Sequence, residues 1–156
     1  MEQRNGEVNM ELALQILREP RDGLILVADD EPLHRKVLSD ILRLEGCFVV
    51  TAENGFRAIE LARSVKPDLI LMDIQMPVID GISAIKVLKA DRDTVSIPAI
   101  AVTALATLGD RERILEAGFD GYLSKPICIT DLCFEVHRHL GRKPERTETA
   151  LEGRFA

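Results

Sequence analysis

No stretch of this sequence stays apolar for the roughly 18 residues that a membrane-spanning helix needs. The longest candidate, Ile97 to Leu108, is interrupted by Pro98, Thr103 and Thr107. The N-terminus, Met1-Glu2-Gln3, lacks a basic patch followed by an apolar stretch, so no secretory signal is visible. An excess of positive charge is missing too: 20 Lys and Arg stand against 26 Asp and Glu, for a net charge of −6. A chain of that sign does not track a phosphate backbone by bulk electrostatics, which argues against nucleic acid as a direct partner. Cysteine is scarce and odd in number. Cys47, Cys128 and Cys133 show no C-x-x-C spacing and read as small buried apolar residues in a reducing cytosol, not as a disulfide frame or zinc site. The expected location is cytoplasmic, with no membrane partner.

What is present suffices for one ordinary domain. Of the 156 residues, 46 % are apolar and 29 % charged, enough to bury a core and exclude disorder of the whole chain. The compact part is expected over residues 23–141. Residues 1–22 form an N-terminal extension in which Val8, Met10, Leu12, Leu14, Ile16 and Leu17 suggest a helix ended by Pro20. Residues 142–156 are a polar tail with too little apolar surface to offset its own ordering entropy.

The middle alternates two periods. Leu24-Ile25-Leu26-Val27-Ala28 is a short, wholly apolar run, the mark of a strand covered on both faces. Leu33, Val37, Leu38, Ile41 and Leu42 then recur at helical spacing, with Pro32 suited to the first turn and Gly46 to the C-cap. The alternation continues through a strand at Phe48–Val50, a helix capped by Asn54 and stopped before Pro67, a strand at Leu69–Met72, and a helix capped by Asp80. It ends with a strand at Ala99–Val102, a short polar helix from Asp110 to Ala117, a brief strand at Tyr122-Leu123, and a helix capped by Thr130. Five strand–helix units require parallel strands joined by right-handed crossovers, hence a doubly wound α/β sheet with five helices. In such sheets function gathers beyond the carboxyl ends of the strands.

Those ends carry a short set: Asp29-Asp30-Glu31, Asp73, Thr103-Ala104 and Ser124-Lys125-Pro126. Carboxylates forced together repel unless a cation sits between them. Oxygen ligands with no His or Cys at the strand ends suit Mg²⁺ better than zinc. A lysine and a hydroxyl beside such an ion make a place for phosphoryl oxygens.

The same residues resemble the receiver domains of two-component response regulators. The resemblance rests on Asp29-Asp30, on Asp73 followed by Met76-Pro77 and Gly81, on Thr103-Ala104, and on Lys125-Pro126, with Asp73 preceding Thr103 by 30 positions and Lys125 by 52. The run from Leu69 to Pro77 looks like single-domain receivers of the DivK kind, and hybrid-kinase receivers are similar too. The resemblance implies a flavodoxin-like strand order of 2-1-3-4-5. It further implies that Asp73 is the phosphoacceptor, attacking phosphorus to become an acyl phosphate. Mg²⁺ would be bound by Asp30, Asp73 and the backbone carbonyl of Gln75, with Asp29 helping through water. Lys125 would pair with a phosphoryl oxygen, Thr103 would hydrogen-bond another, and Tyr122 would turn inward as Thr103 moves. Pro126 would follow a cis peptide bond. Gln75 and Leu105 occupy positions that tune loss of the phosphoryl group, and apolar Leu105 is expected to slow it.

Taken singly, each residue has a plainer reading: Asp29-Asp30 as a helix cap, Thr103 as a β-branched strand residue, Lys125 as a surface charge, Tyr122 as packing. Their joint occurrence at successive strand ends points to the phosphoryl site. His34, His137 and His139 fall on helices and read as surface or partly buried imidazoles away from the strand ends. A haloacid-dehalogenase-type phosphohydrolase would need a second Asp where Gln75 stands, and a flavin-binding protein would need a Ser/Thr/Gly-rich loop where Asp29-Asp30-Glu31 stands. The expectation is a stand-alone receiver, not an enzyme, phosphorylated by a sensor histidine kinase or histidine phosphotransfer protein and acting on a downstream protein target. The tail is too short for a DNA-binding output module. A receiver segment of a hybrid kinase, a phosphorelay intermediate and a phosphorylation-independent scaffold remain as alternatives. Segment 7–18 is open to pairing with a second copy as a homodimer, packing on the core, or serving as a linker.

Overall fold

A computed structural model of the chain describes residues 23–104 and 107–140. The helix expected within residues 1–22, the polar tail and Leu105 lie outside the described residues. The elements are β1 (Leu24–Ala28), α1 (Pro32–Leu44), β2 (Phe48–Ala52), α2 (Gly55–Val65), β3 (Leu69–Asp73), α3 (Gly81–Ala90), β4 (Ala99–Thr103), α4 (Leu108–Ala117), β5 (Gly121–Ser124) and α5 (Ile129–Leu140). The five strands are parallel in the order β2-β1-β3-β4-β5. This is the doubly wound sheet that the alternating pattern implies, in the flavodoxin-like strand order that the resemblance implies.

The apolar strands follow from their two-sided burial. Successive side chains of a strand point to opposite faces. Leu26, Ala28, Ile70, Met72, Ala99 and Ala101 enter one core with Ala58, Ile59 and Ala62 of α2, Ala84, Ile85 and Leu88 of α3, and Ile114 of α4. Ile25, Val27, Leu69, Leu71, Ile100 and Val102 enter the other with Leu38 and Leu42 of α1 and Leu132 and Val136 of α5. Edge strand β2 leaves Phe48 and Thr51 exposed, which is why its sequence is less uniformly apolar.

The helix starts follow local chemistry. Asn54 accepts the Arg57 amide at 2.8 Å, and Asp80 accepts that of Ser83 at 2.7 Å. Three helix boundaries differ from the sequence expectation, and β2 and β5 run longer than expected. Helix α4 begins at Leu108, not Asp110, because Thr107 and Asp110 form a reciprocal capping box in which Asp110 is the third helical residue. Helix α5 begins at Ile129, with the Cys128 carbonyl accepting from the Leu132 amide at 3.0 Å, so Thr130 lies in its first turn rather than at its cap. Gly46, at φ 92°, sits one residue past the C-cap Glu45, where a left-handed conformation ends the helix. The cysteines also divide. Cys47 is buried and Cys133 half-buried, but Cys128 is exposed, because the β5–α5 connection that carries it runs over the surface.

Chain direction positions the site. After β1 the chain moves outward to β2, and after β3 it moves the other way to β4, so the crevice between the carboxyl ends of β1 and β3 is the topological switch point. The loop after β3 is folded tightly: Ile79 donates to the Pro77 carbonyl at 2.8 Å across Val78, whose φ is +71°, and Gly81 donates to the Ile74 carbonyl at 2.8 Å. No helix among the described residues is long and apolar enough to cross a membrane.

Gly81 seats α3 directly on the backbone of the β3 end. A Cβ there would press into the Asp73 carbonyl and lie 2.8 Å from the Ile74 Cα, with no flexible side chain to yield. Gly81→Ala is therefore expected to lower the free energy of unfolding by about 2 kcal/mol, measured by urea denaturation, since overpacking against backbone forces a main-chain shift.

Candidate phosphoryl-acceptor and metal site

Each strand end delivers its group for a local reason. Asp29 follows β1 and is 1 % exposed, and its Oδ1 accepts the Glu31 amide at 2.9 Å. Asp73 is the last residue of β3 and is 6 % exposed, and its Oδ1 accepts the Gln75 amide at 3.1 Å. Both side chains thus fold back on the turn that follows them, leaving Oδ2 to face the crevice. Asp30 is exposed beside them. One carboxylate oxygen from each of Asp29, Asp30 and Asp73 lies within 4.8 Å of the others.

Lys125, from the end of β5, reaches across the sheet into this cluster. Its Nζ donates to Asp73 Oδ2 at 2.8 Å and to Asp29 Oδ2 at 3.2 Å. Its backbone is tied to β4, the amide donating to the Thr103 carbonyl at 2.9 Å. The Lys125–Pro126 bond is cis. Thr103 is fully buried at the end of β4. Tyr122 is half-buried on β5, with the Arg111 guanidinium of α4 stacked 4.8 Å from the ring centroid. The structure thus brings Asp29, Asp30, Asp73 and Lys125 into one crevice, with Thr103 on the neighbouring strand end and Tyr122 further along β5.

His34 departs from the sequence reading. It lies at the site, not away from the strand ends: its Nδ1 is 3.4 Å from Lys125 Nζ and 3.7 Å from Asp29 Oδ2. Helical side chains lean toward the N-terminus of their helix, so a first-turn residue of α1 overhangs the strand end that precedes it. Its place five residues after Asp29, just inside the Pro32 helix start, was the available signal. His137 and His139 lie elsewhere, near Glu45 at 3.5 Å and Glu135 at 3.3 Å.

The electrostatics are those of a shared cation. Burial pushes the Asp73 carboxyl above its ordinary value, against the hydrogen bond and charge of Lys125 and the Gln75 amide, and Asp29 adds a further upward push. Burial pulls Lys125 the other way, but its hydrogen bonds and charge interactions with Asp73 and Asp29 outweigh it and hold the ammonium above its ordinary value. Both shifts rise, with opposite meaning: one ammonium is shared between two carboxylates, so it gains from both while Asp73 is not fully compensated. With Asp30 the cluster presents three carboxylates to one ammonium. That surplus of hard oxygen donors fits a divalent ion of the Mg²⁺ kind.

Residues 25–137 match the family model described as "Response regulator receiver domain". The chain is 40 % identical over 117 residues to the polar-differentiation response regulator DivK of Brucella anthropi, covering 75 % of this chain and 95 % of that protein. Among solved structures it is similar to the receiver domain of sensor histidine kinase PA1611 from Pseudomonas aeruginosa, which has a magnesium ion coordinated in its active-site cleft. There the identity is 37 % and the TM-score 0.72, over 76 % of this chain and 98 % of that one. It is similar also to the receiver domain of the Francisella response regulator 1452, at 30 % identity and TM-score 0.72, over 77 % and 98 % of the two chains.

Native Asp73 holds its proton above the unfolded value of 3.8, so its ionisation costs folding free energy. That cost is absent below pH 3.8 and complete once the pH exceeds the native value. Without divalent cation, Asp73→Asn is therefore expected to raise the thermal midpoint at pH 7 by a few degrees, with the gain fading as the pH is lowered through this window. Thermal unfolding of both proteins across pH checks this; a gain independent of pH would contradict it.

Proposed function

The chain belongs to the response regulator receiver domain family, phosphoacceptor signalling domains of two-component systems, and we propose that it works by taking a phosphoryl group onto Asp73 from a phosphohistidine donor. The observation that carries this reading is the Lys125 ammonium held between the two inward carboxylates of Asp73 and Asp29, with Asp30 beside them.

In this reading Asp73 is the nucleophile. Its Oδ1 is steadied by the Gln75 amide, and the carboxylate attacks phosphorus to form an acyl phosphate as the P–N bond of the phosphohistidine breaks and the imidazole leaves with the electron pair. Asp30, Asp73 and the Gln75 backbone carbonyl, with Asp29 through water, would hold a Mg²⁺ whose charge neutralises the carboxylates and the incoming phosphoryl oxygens. Lys125 pairs with one phosphoryl oxygen and the Thr103 hydroxyl with another. Asp29, buried and hydrogen-bonded through Oδ1, lies at the back of the crevice.

The donor's approach is suggested by an open apolar groove of about 580 Å³ that runs from Lys125 and His34 along Leu33, Val37 and Ile41 of α1 to Ile127 and Ile129. A helix presenting a phosphohistidine would lay its apolar face there beside the nucleophile. Output falls to the opposite margin. Helix α4 buries only Ile114, worth about 1.5–3 kcal/mol, whereas ordering its backbone costs on the order of 1 kcal/mol per residue. It is therefore the helix most easily shifted as Thr103 closes on a phosphoryl group and Tyr122 leaves its Arg111 stack, changing the face offered to a downstream protein. A second reading, a receiver segment of a hybrid kinase or a relay intermediate, is favoured by the likeness to a kinase-borne receiver and uses the same chemistry.

The test is the intact mass of the chain after incubation with Mg²⁺ and acetyl phosphate. One added phosphoryl group is expected in the wild type, none in Asp73→Asn, and none in the wild type with EDTA. A wild type that gains nothing under conditions that load a control receiver would leave the phosphorylation-independent scaffold as the surviving reading.

A further inference from the structure

The two ends of α4 are held unequally. At the C-terminal end the Gly118 amide donates to the Leu115 carbonyl at 3.2 Å, and Phe119 is buried. Asp120 then locks onto β4: its amide donates to the Ala99 carbonyl at 2.8 Å, and its Oδ2 accepts the Ala99 amide at 2.9 Å. Lys89 of α3 closes over the same corner, its Cγ so near that a Cβ on Gly118 would come within 3.0 Å of it. The other end has no such footing. None of Leu108 to Arg113 is buried, and the capping box of Thr107 and Asp110 is internal to the helix. Arg111 reaches the sheet instead, its guanidinium 4.8 Å from the centroid of the Tyr122 ring on β5. No acidic residue stands three or four positions from Arg111, where the chain has Thr107, Leu108, Ile114 and Leu115. The ring face, not a carboxylate on the same helix, therefore receives its charge.

We propose that Arg111 is a latch: stacked on Tyr122 it keeps the N-terminal half of α4 against β5, and once the stack is broken that half swings outward about Gly118. The φ of Gly118 is +123°, a bend that the chain already makes at the fixed end. Arg113 forms one wall of an open pocket of about 580 Å³ whose other walls include Ile74, Met76 and Ile82. The swing widens this partly apolar cleft beside the β3 end, so release of one side chain changes a surface larger than itself. An exposed cation–π contact is weak enough for one new charge-assisted hydrogen bond to overcome it. The trigger rests on the phosphoacceptor reading of Asp73, in which Tyr122 leaves the guanidinium as Thr103 closes on the phosphoryl group. The latch itself does not depend on that reading.

The experiment is amide hydrogen exchange of the unphosphorylated chain, read residue by residue by NMR, in wild type, Arg111→Ala, Tyr122→Leu and the double variant. Exchange of the amides of Arg111 to Ile114 is expected to speed about twofold to fivefold in Arg111→Ala, the scale of one exposed cation–π contact, with Phe119 and Asp120 unchanged. Tyr122→Leu is expected to match it, and the double variant to add nothing further. A merely solvated Arg111 gives the opposite sign, because alanine is the better helix former and a cation near a helix N-terminus opposes the macrodipole. Tyr122 is the one tyrosine of a sequence without tryptophan, so quenching of the intrinsic emission by acrylamide follows its ring directly and should rise in Arg111→Ala. Unchanged or slower exchange in Arg111→Ala, or additive effects in the double variant, would overturn the latch. Wild type loaded with acetyl phosphate and Mg²⁺ should show the same faster amides, and a loaded chain with α4 unchanged would overturn the trigger. A wild type that takes up no phosphoryl group would sink the phosphoacceptor reading and the trigger with it, while the unphosphorylated variants still decide the latch.

Discussion

One lysine ammonium bridges carboxylates that the chain delivers from two other strands, Asp29 from 96 positions away and Asp73 from 52. Two inward acids this close oppose each other's ionisation, and burial sharpens the conflict. The fold resolves it by bringing the ends of β1, β3 and β5 to one edge of the sheet. The residual imbalance, two or three carboxylates against one ammonium, leaves the crevice a surplus of oxygen donors that fits a further cation and, in the proposed reading, a group that brings its own negative oxygens. The rest of the structure serves this arrangement. The parallel order puts β1 and β3 side by side, the two cores hold both strands rigid, and Gly81 allows the α3 N-terminus to close against the β3 end.

Much of this was legible in the sequence, for reasons that can be named. The strands buried on both faces must be apolar at every position, so Leu24–Ala28 and Leu69–Met72 stand out without any helical alternative of that length. Asn54 and Asp80 mark helix starts because a side chain there satisfies an amide that the helix cannot. The acids and the lysine at strand ends were readable because the topology of a parallel sheet leaves them nowhere else to go.

What was not legible depends on direction rather than pattern. Thr107 and Asp110 both favour helix starts, and only their reciprocal hydrogen bonds decide which is the cap. His34 is part of a helical run in sequence; that it overhangs the crevice follows from the tilt of side chains on α1 and the anchoring of Arg35 to the Asp29 carbonyl. Cys128 and buried Cys47 are the same letter in the sequence, and only the path of the β5–α5 connection separates them.

The sparse burial of α4 has a consequence on the scale of descent. A helix that contributes one fully buried side chain to the core tolerates change at its exposed positions without loss of the fold, while β3, with all five residues buried, tolerates little. Duplicated copies of such a domain can therefore diverge in whom they address while keeping the same reaction. In the proposed reading, insulation between parallel pathways would accumulate on the outer helix and leave the crevice untouched.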